Sequence, residues 1–326
     1  MTTIAIDLLG GDGAPAVVAD AVARLVADGD AVDLMVVGPR DVASSLLEQR
    51  GVGDGVVRIV PAGTGVAMAD SPLSRLRSRD DVTVSVASGL VAAGHADGWV
   101  TVGHTGAAVG AAVLGLGRVR GMSRPALTVV VPSLSGPVVL LDAGAAPDAT
   151  PDLLRQFALA GWAYACALGI PDPRVGLLSI GSESGKGDRL RASADELLAE
   201  VLPVRGVRYV GPVEGHDVAL GERADVIVAD GFTGNVVLKG LEGAVLWSAQ
   251  KMGAAYADPD PAYQVAWDTA TGDFAGGVLL GVNGVTVVGH GAGTSEQICA
   301  CIRLAARSAG MDLIRSVHAA LASGPR

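Results

Sequence analysis

Short runs of β-branched and apolar residues alternate along the chain with longer segments of helical composition, and most junctions between them fall on glycine. Residues 4–8, IAIDL, form the first apolar run; it leads to Gly10-Gly11-Asp12-Gly13, after which Pro15 opens a helix predicted to about residue 27. The pattern continues as strand 32–37, helix 41–49 and strand 56–60. A polar connection, 68–80, then precedes a small-residue helix over 82–93 and a strand over 99–102. That strand opens through Gly103-His104-Thr105-Gly106 into an Ala/Gly-rich helix, 107–116. Runs 127–131 and 138–141 flank a Pro/Ser/Gly turn and read as a hairpin or as adjacent strands ending at Asp142-Ala143-Gly144-Ala145. Helix 151–168, strand 174–180, a loop over 181–188 and a helix over 189–200 follow. Residues 226–229 form a further strand closed by Asp230, with a turn Gly231-Phe232-Thr233-Gly234-Asn235 and a helix from Val236 to about residue 252; Asp258-Pro259-Asp260-Pro261 interrupts the chain beyond it. Strand 285–288 ends in Gly289-His290-Gly291-Ala292-Gly293, and Thr294 or Ser295 is placed to cap a last helix carrying Cys299 and Cys301. Such alternation predicts an α/β fold with a largely parallel sheet covered by helices on both faces.

Composition sharpens this picture. The 326 residues suffice for one large α/β domain or two closely joined lobes, and the 46 glycines are about twice the usual ~7% share. Tight turns or close backbone contacts are therefore expected throughout. A formal charge of −10 and a pI near 4.9 disfavour nucleic acid as the main partner, because that binding needs a basic surface to displace counterions. An anionic substrate would have to be met locally by backbone N–H groups and a few Lys or Arg. Cys166, Cys299 and Cys301 form no CxxC pattern, which argues against a disulfide framework or a zinc site and suits a reducing cytoplasm. The opening MTTIAIDLLGGDG has no basic leader, so no signal peptide is expected, and the most apolar stretch, 126–146, is too broken by Pro, Ser, Gly and Asp to span a bilayer.

Glycine turns at the carboxyl ends of strands suggest a ligand crevice there. Helix starts leave N–H groups without intrahelical partners and carry the positive end of the dipole, so an anion is well placed beside residues 231–235. The loop 181–188 resembles a phosphate-binding P-loop only superficially: it has one residue too few between Gly181 and Gly185-Lys186, and Gly187 stands where Ser or Thr would hold magnesium. Nucleoside triphosphate binding is thus disfavoured, while Lys186 reads equally well as a phosphate contact or as a surface lysine. No Gly-x-Gly-x-x-Gly follows the first strand and no Gly-x-Ser-x-Gly elbow exists, so neither a dinucleotide nor a covalent serine mechanism has support. Direct transfer remains: an anionic nucleophile held by N–H groups, Lys186 and Asn235 attacks an activated acyl group. His104 and His290 are the histidines at strand-end turns; either could move a proton, although a single loop histidine more often has a structural role. Arg75, Arg77 and Arg79 could meet an anion, although they read more readily as part of a solvated loop.

Taken in order, these residues resemble the bacterial phosphate acyltransferase family of phospholipid synthesis. The resemblance covers nearly the whole chain and rests on Asp7-Leu8-Leu9-Gly10-Gly11-Asp12 with Ala14-Pro15, Gly103-His104-Thr105-Gly106-Ala107, Leu116-Gly117-Arg118 through Arg124-Pro125-Ala126, and Leu140-Leu141-Asp142-Ala143-Gly144-Ala145. It continues through Arg174-Val175-Gly176-Leu177-Leu178, Gly185-Lys186-Gly187, Asp230-Gly231-Phe232-Thr233-Gly234-Asn235 with Leu238-Lys239, and Leu280-Gly281-Val282-Asn283-Gly284 to His290-Gly291. The resemblance implies a Rossmann-like α/β/α sandwich related to the isocitrate and isopropylmalate dehydrogenases and to phosphotransacetylases, in one large domain over 1–326 with a helical excursion at 240–276. It implies formation of acyl-phosphate from acyl-acyl carrier protein and inorganic phosphate by a cytoplasmic homodimer without metal or organic cofactor. Lys186, Asn235 and His290 are then the catalytic candidates. Asp7, Gly11, Asp12, Gly103, His104, Thr105, Gly106, Asp142, Gly185, Asp230, Gly231, Thr233 and Gly234 are the substrate-binding candidates, with the aspartates organising the turns. Arg118, Arg120 and Arg124, in the most basic stretch, are the expected docking residues for the acidic carrier protein.

Three departures from the family pattern stand near the expected site: His104 and Ala146 each replace Asn, and Ala292-Gly293 replaces Ser-Ser. The family also often carries a lysine-rich helical hairpin that touches membrane. Residues 240–276 here hold one Lys and five acidic residues, Glu242, Asp258, Asp260, Asp268 and Asp273, so at most weak peripheral contact with the inner membrane face is expected. Two alternatives stay open: a phosphotransacetylase-like enzyme using short-chain acyl-coenzyme A, and a catalytically silent paralogue that binds acyl carrier protein.

Overall fold

The computed structural model describes all residues except 68–69, 79–80, 184, 256–260, 262–264, 266–275 and 323–326. The chain divides into two compact units, Met1–Arg118 with Ala275–Ile314, and Val119–Phe274 with Arg315–Arg326.

In the first unit the order is β1 (Thr2–Asp7), α1 (Ala16–Asp28), β2 (Val32–Gly38), α2 (Arg40–Glu48), β3 (Arg58–Pro61), α3 (Pro72–Ser78), α4 (Thr83–Ala92), β4 (Gly98–Thr101) and α5 (Thr105–Gly115). Strands β10 (Gly276–Leu280) and β11 (Val285–Gly289) and helix α10 (Ser295–Gly310) complete it. The strands lie in the order β3-β2-β1-β4-β11-β10, all parallel except β10, which pairs antiparallel with β11. Apolar residues on consecutive positions, Ile4-Ala5-Ile6 in β1 and Trp99-Val100 in β4, are all buried, as strands covered on both faces require. Helix α10 packs against β1, β4 and β11 and against α1, and its start is fixed by a capping box in which Thr294 and Gln297 satisfy one another's backbone N–H groups.

The second unit runs β5 (Ala126–Ser133), β6 (Gly136–Leu141), α6 (Pro151–Ala167), β7 (Arg174–Leu178), α7 (Arg189–Val204), β8 (Arg208–Val213), α8 (Asp217–Leu220), β9 (Val226–Val228) and α9 (Gly231–Ala255); α11 (Leu313–Ala322) joins it from Arg315 onward. Its strand order is β5-β6-β9-β7-β8, with β5 and β6 an antiparallel hairpin and the others parallel. Helix α6 is anchored by Thr150, whose hydroxyl accepts from Leu153 N at 3.2 Å, and buries Leu154, Phe157 and Leu159. At full burial the Phe157 side chain contributes roughly 2–3 kcal/mol. No helix among the described residues is long and apolar enough to cross a membrane.

The α/β pattern read from the sequence is the observed one, with three differences. Connection 68–80 holds α3, whose Pro72 suits a first helical position because no intrahelical N–H is needed there. Strands β8 and β10, the short α8 and the final helix α11 had no predicted counterpart. Residues 231–235 are not a turn before a helix but the first residues of α9 itself. The predicted excursion at 240–276 begins within α9, and much of the remainder lies outside the described residues.

Candidate functional site

The first unit gathers its polar residues at the carboxyl ends of β1, β4 and β11. Asp7, only 2% exposed, lies beneath the loops: one carboxylate oxygen accepts from Leu9 N at 3.0 Å and the other from the Thr101 hydroxyl at 2.7 Å. The Thr101 oxygen in turn accepts from Gly103 N at 3.1 Å, so a single chain of hydrogen bonds fixes both loops. Burial pushes the Asp7 carboxyl above its ordinary value, against the opposing pull of these donors. A Cβ on Gly10 would stand 2.6 Å from both Asp7 Oδ2 and Thr101 Oγ1, which is why this position has no side chain. Asp12 N donates to Gly291 O at 2.8 Å, bringing in the β11 loop with His290.

His104 is the N-cap of α5; its Nδ1 accepts from Gly106 N at 2.9 Å. Thr105 and Gly106 are therefore the first residues of that helix rather than a free loop. Gly11, Asp12, Gly103 and His104 border a cavity of about 630 Å³, whose far wall carries Asp70 and Arg75, 3.8 Å apart. Arg75, read as part of a solvated loop, faces this cavity instead.

In the second unit the loop after β6 is wound around Asp142. Its fully buried carboxylate accepts four backbone N–H groups: Leu127 at 2.9 Å, Gly144 at 3.0 Å, Ala145 at 2.9 Å and Ala146 at 2.5 Å. Burial pushes this carboxyl up as well, with the N–H donors opposing. Asp142 thus builds the loop and offers no free oxygen to a ligand. The start of α9 presses directly on it, for Gly231 N donates to Ala146 O at 2.9 Å and Asn235 Nδ2 to Ala143 O at 3.0 Å. One N–H of the Asn235 amide is committed in this way, leaving a second for a ligand.

Asp230 caps α9, accepting from Thr233 N at 2.9 Å and from the Thr233 hydroxyl at 2.8 Å. The Arg191 guanidinium donates to Asp230, to Thr233 Oγ1 at 2.8 Å and to Asp188 at 2.9 Å. Burial alone would raise the Asp230 carboxyl, but the Thr233 donors and Arg191 hold it below the ordinary value. Asp188 also caps α7 through Arg191 N at 2.9 Å. Arg191 therefore bridges the loop carrying Gly185 and Lys186 to the first turn of α9. Sequence reading missed it, although a cation in the first turn of a helix opposes the dipole and so signals carboxylates nearby. Lys186 is exposed; its carbonyl accepts from the Ser179 hydroxyl at 3.0 Å, and no ion pair engages its ammonium among the described residues.

The predicted residues thus fall into two groups. Asp7, Gly11, Asp12, Gly103, His104, Thr105, Gly106 and His290 come together in the first unit, and Asp142, Asp230, Gly231, Thr233, Gly234 and Asn235 in the second, where Arg191 links them to the loop of Gly185 and Lys186. Arg118, Arg120 and Arg124 are all exposed. Among the described residues no group of three or more His, Cys, Asp or Glu stands close enough to hold a metal ion. Cys299 and Cys301 are buried in α10 with thiols pushed up to about 11 and about 12 by that burial, so neither is a reactive nucleophile.

Residues 2–316 match a family model described as fatty acid synthesis protein. A phosphate acyltransferase of Desulfitobacterium hafniense is 38% identical over 315 residues, covering 93% of this chain and 92% of that protein. Among solved structures, a phosphotransacetylase from Streptococcus pyogenes has a TM-score of 0.64 at 19% identity, covering 94% of each chain. A 4-hydroxythreonine-4-phosphate dehydrogenase from Burkholderia phymatum has a TM-score of 0.50 at 16% identity, covering 94% of this chain and 98% of that one. These two structural likenesses concern the fold alone.

Proposed function

Since the chain belongs to the fatty acid synthesis protein family, in which its curated relative is a phosphate acyltransferase, we propose that it joins inorganic phosphate to the acyl group of a fatty acyl-acyl carrier protein. The observation that carries this reading is that the family match spans residues 2–316, a range that includes every strand-end loop described above. A phosphate oxygen attacks the thioester carbonyl, the carbon–sulfur bond breaks, and the proton of hydrogen phosphate ends on the released thiol. Acyl-phosphate and holo carrier protein are the products. In this reading Lys186 and the remaining Asn235 N–H hold phosphate, Arg191 positions the two segments that carry them, and His290 with His104 serves the acyl group.

Arg118, Arg120 and Arg124, all exposed, dock the acidic carrier by complementary charge. Reversing these three charges is expected to raise KM for the carrier substrate about tenfold while leaving kcat within about twofold; an unchanged KM would reject the docking role. The protein acts as a homodimer, a reading supported by the face of α9 that exposes Phe232, Val236 and Trp247 by 68, 55 and 63%. Membrane contact is at most weak and peripheral.

The reaction is tested by incubating the purified protein and phosphate with long-chain acyl carrier protein, long-chain acyl-coenzyme A and acetyl-coenzyme A, and trapping product with hydroxylamine. Phosphate-dependent hydroxamate from the long-chain carrier substrate is expected. Product from acetyl-coenzyme A alone would identify a phosphotransacetylase activity instead, and no product from any thioester would indicate a silent paralogue.

A further inference from the structure

We infer that the groove between α6 and α11 in the second unit binds a medium-chain fatty carboxylate, its head on the Arg205 guanidinium and its alkyl chain along Leu159, Trp162 and Cys166. The site uses none of the strand-end loops, so it goes beyond the acyltransferase reading without depending on it. The groove has a volume of about 460 Å³, within the range of small-ligand sites, and is walled by one face of α6, by Arg205 and Val207 ahead of β8, and by α11. Leu159, Trp162, Ala163, Cys166 and Ala167 recur at helical spacing along α6 and form a mainly apolar stripe about 12 Å long. A saturated chain built from C–C bonds of about 1.5 Å advances about 1.3 Å per carbon, so about nine carbons match that stripe.

Charge selects the head group. Arg205 Nη1 donates to Ala320 O at 3.1 Å, which ties α11 to the groove, and among the described residues no carboxylate pairs with this guanidinium. Burial and the positive charge of nearby Arg155 both push Arg205 below its ordinary value, so this end of the groove carries a positive field. Arg155 stands one turn before Leu159 and is already paired with Asp152 at 2.7 Å, which leaves Arg205 to meet a ligand anion. At the other end of the stripe, burial and the negative charge of Asp172 push the Cys166 thiol up. The groove is thus polarised along α6. A carboxylate at Arg205 meets a planar fork of donors, whereas the reverse orientation sets it against Asp172. A cationic amphiphile is opposed at Arg205, and a neutral one gains no ion pair there.

Calorimetric titration of the purified protein with sodium decanoate is expected to show saturable binding. Decyltrimethylammonium and acetate, which offer the chain and the head separately, should not bind. Decanoate should also slow maleimide labelling of Cys166, which is exposed while Cys299 and Cys301 are buried. In Arg205→Gln the affinity should fall about tenfold or more, as the loss of a hydrogen bond to a charged group implies. Arg205→Lys keeps the charge and should bind decanoate more tightly than Arg205→Gln does; equal loss in both would trace the effect to the anchoring of α11 and overturn the head-group role. Absence of binding, decanol bound as tightly as decanoate, or Cys166 labelling indifferent to decanoate would overturn the site. A Cys166 that resists maleimide before decanoate is added would show the groove covered by a second copy of the chain and overturn it as well. Decanoate held at the acyl-transfer loops would neither shield Cys166 nor respond to Arg205, so failure here and failure of the acyltransferase reading are separate results.

Discussion

At Asp230 and Arg191 two opposite charges, with side chains 7% and 11% exposed, face one another where solvent screens them poorly. The folded-state carboxyl lies below its ordinary value, so its contribution to stability is fully present above about pH 3.9 and is lost as pH falls through the folded value. Asp230→Asn should therefore flatten the acid limb of stability below about pH 4 and cost roughly 3 kcal/mol at neutral pH, read by urea unfolding across a pH series. An unaltered acid limb would show that the pair carries no such weight. Asp7 and Asp142, raised by burial, act with the opposite sign: their contribution improves as pH falls from the folded value toward the ordinary carboxylate range. Asp142, Asp230 and Asn235 could be singled out in the sequence because each lies in a glycine-containing stretch that follows an apolar run. Arg191 could not, because within a helical run its type is unremarkable and only its first-turn position is informative.

The start of α9 shows how a motif can be recognised while its conformation is misread. Two glycines in five residues suggest a turn, yet Gly231 and Gly234 are helical, and their lack of a side chain serves close approach. A Cβ on Gly234 would stand 1.9 Å from Asp142 O, and one on Gly231 would stand 2.6 Å from Asp142 Oδ2. Helix propensity alone favours Ala over Gly by about 1 kcal/mol, but a contact this short with backbone cannot be relieved by side-chain rotation. Gly234→Ala is thus expected to destabilise the protein by about 1–3 kcal/mol and to impair phosphate binding through the displaced Asn235, measured by denaturant midpoint and KM for phosphate. A stabilised variant would contradict this packing. The missed β8 has the same kind of origin: Gly211 and Pro212 hide its strand character, and Pro is tolerated because β8 is the last strand in its unit's order. The remaining alternation of apolar runs and helices, by contrast, needs no tertiary information and is legible in the sequence.

For the whole molecule, a net charge of −10 with a few exposed arginines suits an enzyme that repels nucleic acid and meets its anions at local sites. Phe232, Val236 and Trp247 repeat at i, i+4 and i+15 along α9, which places them on one helix face. Light scattering should give the mass of a dimer, and Trp247→Glu should shift it toward the 32.5 kDa monomer; an unshifted mass would move the interface elsewhere. The central claim is that phosphate itself attacks the thioester. Its most direct test is turnover of long-chain acyl carrier protein with phosphate bearing ¹⁸O at every oxygen, followed by mass spectrometry of the intact acyl-phosphate. Direct attack predicts a product that keeps every label, including the bridging oxygen. A bridging oxygen without label, or no labelled acyl-phosphate at all, would contradict it.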